Sequence, residues 1–180
     1  MVIKVTLEKH FEKLLQDEFA AVGAHVVRLP DDLKVAIAQG KSNKALGKEK
    51  PYDFGALFQG HYYAVECKLI KGLTFFSDQM KPHQWVGLQE AQDAGATPLL
   101  AIYFKSKAVV TSATKERKET FINKWALIDL GTEDIDFLKG VVFKWSLEDI
   151  ESGEMGSYVR DQLAGPTTDL KDWLRGTFIL

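Results

Sequence analysis

The chain has 180 residues, 46% of them hydrophobic and 27% charged, with a formal net charge of −2. That is enough chain to bury a core in one domain, and no apolar run approaches the roughly 18–20 residues a membrane span needs. The single cysteine, Cys67, excludes an internal disulfide framework and a zinc site built on paired cysteines.

The opening, MVIKVTLEKHFEKLL, is too charged for a signal peptide. A reducing cytoplasm is therefore expected, that of a host if the source is a virus. From about residue 6 to 21, Leu7, Phe11, Leu14, Leu15 and Phe19 recur at helical spacing, with Thr6 available as a cap and Gly23 just past the end. His25 to Leu29 reads as a short strand. Between Pro30 and Lys50 no period holds, which predicts a loop or a loosely held hairpin. The stretch PYDFGALFQGHYYAVECKLIKG then gives two apolar runs flanking Gln59-Gly60-His61, which reads as a hairpin turn. Pro82 to Ala94 reads as a helix opened by its proline and followed by Gly95. Pro98 to Phe104, Phe121 to Leu130 and Val141 to Trp145 are strand candidates, and Leu147 to Glu151 a short helix. Trp173-Leu174 and the terminal Phe178-Ile179-Leu180 predict that the C-terminus docks, on its own core or on a second subunit. The expected organisation is a single domain with a core of about residues 6–104 and an extension, 105–180, of unassigned role.

Charge is segregated along the chain. Arg28 to Lys50 holds six bases against three acids, and Lys105 to Lys118 five bases against Glu116 alone. Asp129 to Asp161 inverts this, with nine acids and three bases. One positive face on a weakly acidic protein is compatible with a nucleic-acid partner, and equally with loops that are merely solvated.

The hairpin carries the chemistry. On its second strand, Tyr63, Val65, Cys67 and Leu69 alternate onto one apolar face, while Tyr62, Ala64, Glu66 and Lys68 take the other. A two-residue turn sets Asp53 directly opposite Glu66, where Cβ atoms lie about 4.5–5.5 Å apart and like charges destabilise the pair. A divalent cation removes the conflict, because Mg²⁺ takes one or two carboxylates plus waters and phosphate oxygens. An isolated Glu-x-Lys in a strand is ordinarily a solvated pair. The aspartate across the turn is what argues for a site, with Asp53 and Glu66 as ligands of Mg²⁺ (Mn²⁺ as substitute), the Cys67 backbone carbonyl as a further ligand, and Lys68 to orient water or balance charge. Cys67 itself is expected to be buried and inert. The four histidines lack ligand spacing, and Trp85, Trp125, Trp145 and Trp173 read as core or interface. No GxxxxGK[ST] or GxGxxG phosphate loop is present.

Pro51-Tyr52-Asp53 followed by Glu66-Cys67-Lys68 resembles the PD-(D/E)XK nuclease signature, with Tyr52 inserted between the proline and the aspartate. Within that superfamily the resemblance is to RecU-type and archaeal-type Holliday junction resolvases. It extends over Phe75-Phe76, His83-Gln84, Ala94-Gly95 and Phe11-Glu12, about residues 8 to 104. The resemblance implies an α/β fold: a central mixed β-sheet flanked by helices, a restriction-endonuclease-like nuclease core. It also implies Asp53 and Glu66 as metal ligands, Lys68 as the catalytic lysine, and helper roles for Gln84 and Glu12. Read alone, Glu12 is equally a solvated helix residue and Gln84 a helix-end hydrogen bond. The implied activity is paired nicking of a four-way DNA junction by a homodimer. Other nucleases of the superfamily and a non-cutting DNA-binding protein of the same fold are the alternatives. Lys41, Lys44, Lys48 and Lys50, just before the hairpin, and Lys71 after it are candidate phosphate contacts.

Overall fold

A computed structural model describes residues 7–29, 50–111, 117–131, 135–153, 157–161 and 169–176. Lys41, Lys44, Lys48, the Thr6 cap and Phe178 to Leu180 therefore lie outside the described residues.

The protein is α/β, with a mixed six-stranded sheet flanked by helices. Helix α1 (Leu7–Ala21) is followed by β1 (His25–Arg28), β2 (Phe54–Phe58), β3 (His61–Lys71) and β4 (Thr74–Phe76). Helix α2 (Pro82–Asp93) precedes the long strands β5 (Thr97–Thr111) and β6 (Arg117–Asp129). Then come α3 (Ile135–Gly140), β7 (Lys144–Ser146), α4 (Leu147–Glu151), β8 (Ser157–Asp161) and α5 (Asp169–Gly176). The large sheet has the order β1-β2-β3-β5-β6-β8, and β4 and β7 form a separate antiparallel pair. Among the described strands only β3 and β5 run parallel, and α2 lies in the crossover between them.

Hairpin β2–β3 forms around the expected turn. Gln59 and Gly60 take φ of 50° and 87°, the left-handed pair a tight two-residue turn requires. Its register runs from Phe58↔His61 to Phe54↔Val65. Alternation along β3 then divides the core. Tyr63, Val65 and Cys67 join Phe11, Leu15 and Phe19 of α1 on one side. Ala64 and Ile70 join Trp85, Leu88 and Ala91 of α2 on the other. Because β3 is central, both faces are covered, and its polar residues are enclosed with the apolar ones.

One expectation is corrected. The strand drawn over Val141 to Trp145 is only Lys144–Ser146, since Phe143 instead exchanges bonds with Ser77: Ser77 N donates to the Phe143 carbonyl at 3.0 Å and Phe143 N to Ser77 Oγ at 3.1 Å. Residues beyond 104 also continue the main sheet: β5 runs on to Thr111, β6 pairs along it, and β8 pairs with β6. The Trp173-Leu174 pair docks on the chain's own core. Leu170 and Leu174 of α5 are fully buried there, and the Tyr63 hydroxyl donates to the Leu174 carbonyl at 3.0 Å. The four tryptophans are core residues as expected, Trp85 and Trp125 buried and Trp145 and Trp173 packed against the same clusters.

Candidate active site

A fork in the sheet makes the site. Strand β2 begins at Phe54, while β3 continues along β5 to Lys71. Beside Cys67 the β2 ladder has ended, and Asp53 takes its place. Its carboxylate Oδ2 accepts the Cys67 N–H at 2.9 Å, and its own N–H donates to the Val65 carbonyl at 3.0 Å. Asp53 is thus one residue beyond the ladder, its amide bonded to Val65 rather than in a regular pair with Glu66. This shifts the directly opposed geometry expected from the turn, yet both acids line the same cleft. Pro51 is seated tightly on α2: a Cβ added to Gly87 would stand 2.3 Å from the Pro51 Cβ, so only glycine admits this approach.

Glu66 is 1% exposed. Its Oε1 lies 2.9 Å from Lys68 Nζ and accepts from Gln84 Nε2. Lys68 Nζ in turn donates to Gln84 Oε1 at 2.6 Å, and the same oxygen accepts the Lys81 N–H at 2.9 Å. Gln84 therefore ties the start of α2 to both charged groups of β3. Its helix-end hydrogen bond and its place in the site are the same contact. Glu12, on α1, is buried as well, with Gln16 Nε2 donating to its Oε1 at 3.2 Å and Arg28 Nε at 3.4 Å from that oxygen.

Burial dominates the protonation of this cluster. Glu66 is pushed up to about 8, first by desolvation, then by the charge of Asp53, with Lys68 opposing. Asp53 is also raised, by burial and by Glu12, while the Cys67 N–H, Lys50 and Lys68 pull the other way. Desolvation raises the Cys67 thiol well above its usual range, in keeping with an inert buried thiol.

These groups line a cleft of about 550 Å³ with Glu8, Lys9, Glu12, Lys50, Asp53, Glu66, Cys67, Lys81, His83 and Gln84 on its walls. Of the candidates from sequence, Glu12, Lys50, Asp53, Glu66, Cys67 and Gln84 converge there, and Lys68 joins them through its bonds to Glu66 and Gln84. Lys71 does not: it is exposed at the far end of β3 and lines no part of the cleft. Sequence reasoning missed Glu8, Lys9, Lys81 and the cleft position of His83. The spacing of Glu8 and Glu12, one helical turn apart, was the available signal.

The donor set fits a hard divalent cation. Glu66 is buried and Asp53 half-buried, burial raises the proton affinity of both, and their carboxylate oxygens suit Mg²⁺ or Mn²⁺. Among the described residues no three His, Cys, Asp or Glu side chains form a ready cage. Mg²⁺ commonly keeps several waters and needs only one or two carboxylates, so two suffice.

No family model and no curated protein matches the chain. Among solved structures it is similar to Hjc of Archaeoglobus fulgidus, a Holliday junction resolvase from an archaeal hyperthermophile, at 17% identity and a TM-score of 0.46, over 80% of this chain and 87% of that one. A likeness of that size says nothing about chemistry. Among the described residues no helix is long and apolar enough to cross a membrane.

Proposed function

We propose that the protein is a structure-selective DNA endonuclease, a Holliday junction resolvase that hydrolyses phosphodiesters with the help of Mg²⁺ or Mn²⁺. The observation that carries this reading is the buried Glu66 carboxylate, held by Lys68 and Gln84, in one cleft with Asp53. In this reading Asp53, Glu66 and the Cys67 backbone carbonyl hold the cation. When bound, it supplies positive charge for the scissile phosphate and acidifies water near neutral pH.

The chain's own groups do the rest. Lys68 keeps its ammonium beside Glu66, where it balances the negative charge that develops on the phosphate or orients the attacking water. Gln84 is a positioning residue: it spans Lys68 and Glu66, so neither can swing away from the other. Glu12 acts through Asp53, its charge favouring any cation at that carboxylate. Lys50 and Lys81, on the cleft walls, are suited to flanking phosphates, and Lys41, Lys44, Lys48 and the outlying Lys71 are assigned the same role. The motif Pro51-Tyr52-Asp53 with Glu66-Cys67-Lys68 supports the nuclease class. Paired nicks in a four-way junction need two such sites related by two-fold symmetry, so the working form is a homodimer.

The test is one gel comparing a synthetic four-way junction, a flap and a linear duplex, each with protein and Mg²⁺. Symmetric nicks in the junction alone are expected. Cutting of the linear duplex with the junction left intact would remove the resolvase assignment and keep the nuclease. If all three substrates survive with Mg²⁺ and with Mn²⁺, the hydrolytic reading falls.

A further inference from the structure

Seven large hydrophobic side chains stand exposed among the described residues, and they are unevenly spread. Four of them belong to one place, a groove of about 210 Å³ between α3, the turn after β4 and the start of α2. Val142, 91% exposed, lines it. Phe76, Phe137 and Val86 lie one residue or one helical turn from its lining residues Ser77, Leu138 and Pro82. Met80, Trp85 and Leu138, all buried, form its floor, and Asp78 and Lys139 supply one charge of each sign at its rim. Groove and cleft share the first turn of α2: Lys81, His83 and Gln84 face the cleft, whereas Met80, Pro82 and Trp85 face the groove. One helix width, roughly 10 Å, separates the two.

The patch carries both halves of a self-complementary contact. In a two-fold interface residue i of one copy meets residue j of the other, and j meets i. One surface must therefore offer knob and hole, and anion and cation, together. Here Val142 and Phe137, 64% exposed, stand beside an apolar depression, and Asp78 and Lys139 stand on the same rim. An unrelated partner would need only one member of each set. Lys139 lies 4.0 Å from Asp136 in a solvated contact, so exchanging that neighbour for another acid costs little.

From this juxtaposition we infer that the groove is the face through which two copies of this chain associate, Val142 of each entering the groove of the other and Asp78 pairing with the partner's Lys139. Burial of the exposed apolar side chains drives the contact, and the charge pair fixes its register. An axis at the groove sets one cleft on each flank of the interface, separated from it by the first turn of α2. The inference deepens the homodimer reading above and rests on it for the effect on cleavage, whereas association is read without DNA or cation.

The experiment is analytical ultracentrifugation of the full chain in EDTA, from about 1 to 100 µM, with thermal unfolding checking the fold of each variant. The parent should sediment as a dimer, and F137S/V142S, which alters only exposed side chains, should dissociate at least about tenfold more readily. V27T/L57T, which changes the exposed pair on β1 and β2, should dimerise like the parent. D78K and K139D should each weaken the dimer, and D78K/K139D should return it to within a few-fold of the parent. A parent that stays monomeric would overturn the inference. So would F137S/V142S associating as tightly as the parent, or a double reversal no tighter than either single one. In the junction assay, F137S/V142S should make single nicks in place of paired ones. A parent that dimerises through the groove but cuts no DNA would sink the hydrolytic reading and leave the interface standing.

Discussion

Among the described residues, two of the places where charge is buried are built differently. At the seam between α1 and β8, Arg160, 6% exposed, meets Glu18 with Nη1–Oε2 at 2.7 Å. This ion pair clips two distant parts of the chain together. In the cleft, three carboxylates, Glu12, Asp53 and Glu66, crowd within electrostatic reach of one another, and two of them are driven toward their neutral forms. An ion pair of this kind serves the fold. Carboxylates crowded together and stripped of water are unfavourable in their charged forms and gain from a cation that binds among them.

The widest separation between the two regions should appear in activity. Glu66→Gln is expected to lower junction cleavage by about 10³-fold while DNA affinity stays within a few-fold, because it removes a ligand and leaves the surface charge nearly unchanged. Single-turnover cleavage and filter binding would measure the two. Arg160→Ala should leave cleavage per folded molecule unaltered. The comparison fails if both variants lose activity equally without unfolding.

Stability should respond in the opposite sense. Arg160→Ala strands the Glu18 carboxylate and should cost about 3 kcal/mol in denaturant unfolding. In the cation-free protein at pH 8, Asp53→Asn and Glu66→Gln should be neutral or stabilising, as expected where function is held against stability.

A pH series sharpens this further. With its folded pKa raised to about 8 from 4.5, Glu66 binds a proton in the native state that the unfolded chain has released. Stability of the cation-free protein should therefore fall as pH rises from about 4.5 to about 8. Glu66→Gln should flatten that part of the curve, and an unchanged slope would show that Glu66 is not the titrating group. The smallest effect belongs to an exposed pair: Lys13 and Asp17, one turn apart on α1, are solvated, and Lys13→Ala should change stability by about 0.5 kcal/mol or less.

How much of this was readable from sequence depended on how local the cause was. The turn at Gln59-Gly60, the alternation along β3 and the inclusion of Asp53 in the site all follow from period-two patterning and turn chemistry within 20 residues. Helix α5 and strand β8 were missed because DLKDWLRG and SYVRD have few apolar residues, and their structure comes from docking on Trp125 and Tyr63 far away in the chain. Glu12 could not be distinguished from a solvated helix residue, since its burial and its pairing with Arg28 on β1 exist only in the folded chain. The length of β5 and β6 was likewise invisible: polar residues such as Lys105 and Lys107 belong to a strand only because the other strand pairs with them.

The shared cation is tested most directly by soaking crystals in Mn²⁺ and recording anomalous scattering. The account predicts a peak bridging the Asp53 and Glu66 carboxylates, absent in Asp53→Asn. Density elsewhere, or none beside Glu66 at saturating Mn²⁺ above pH 8, would contradict it.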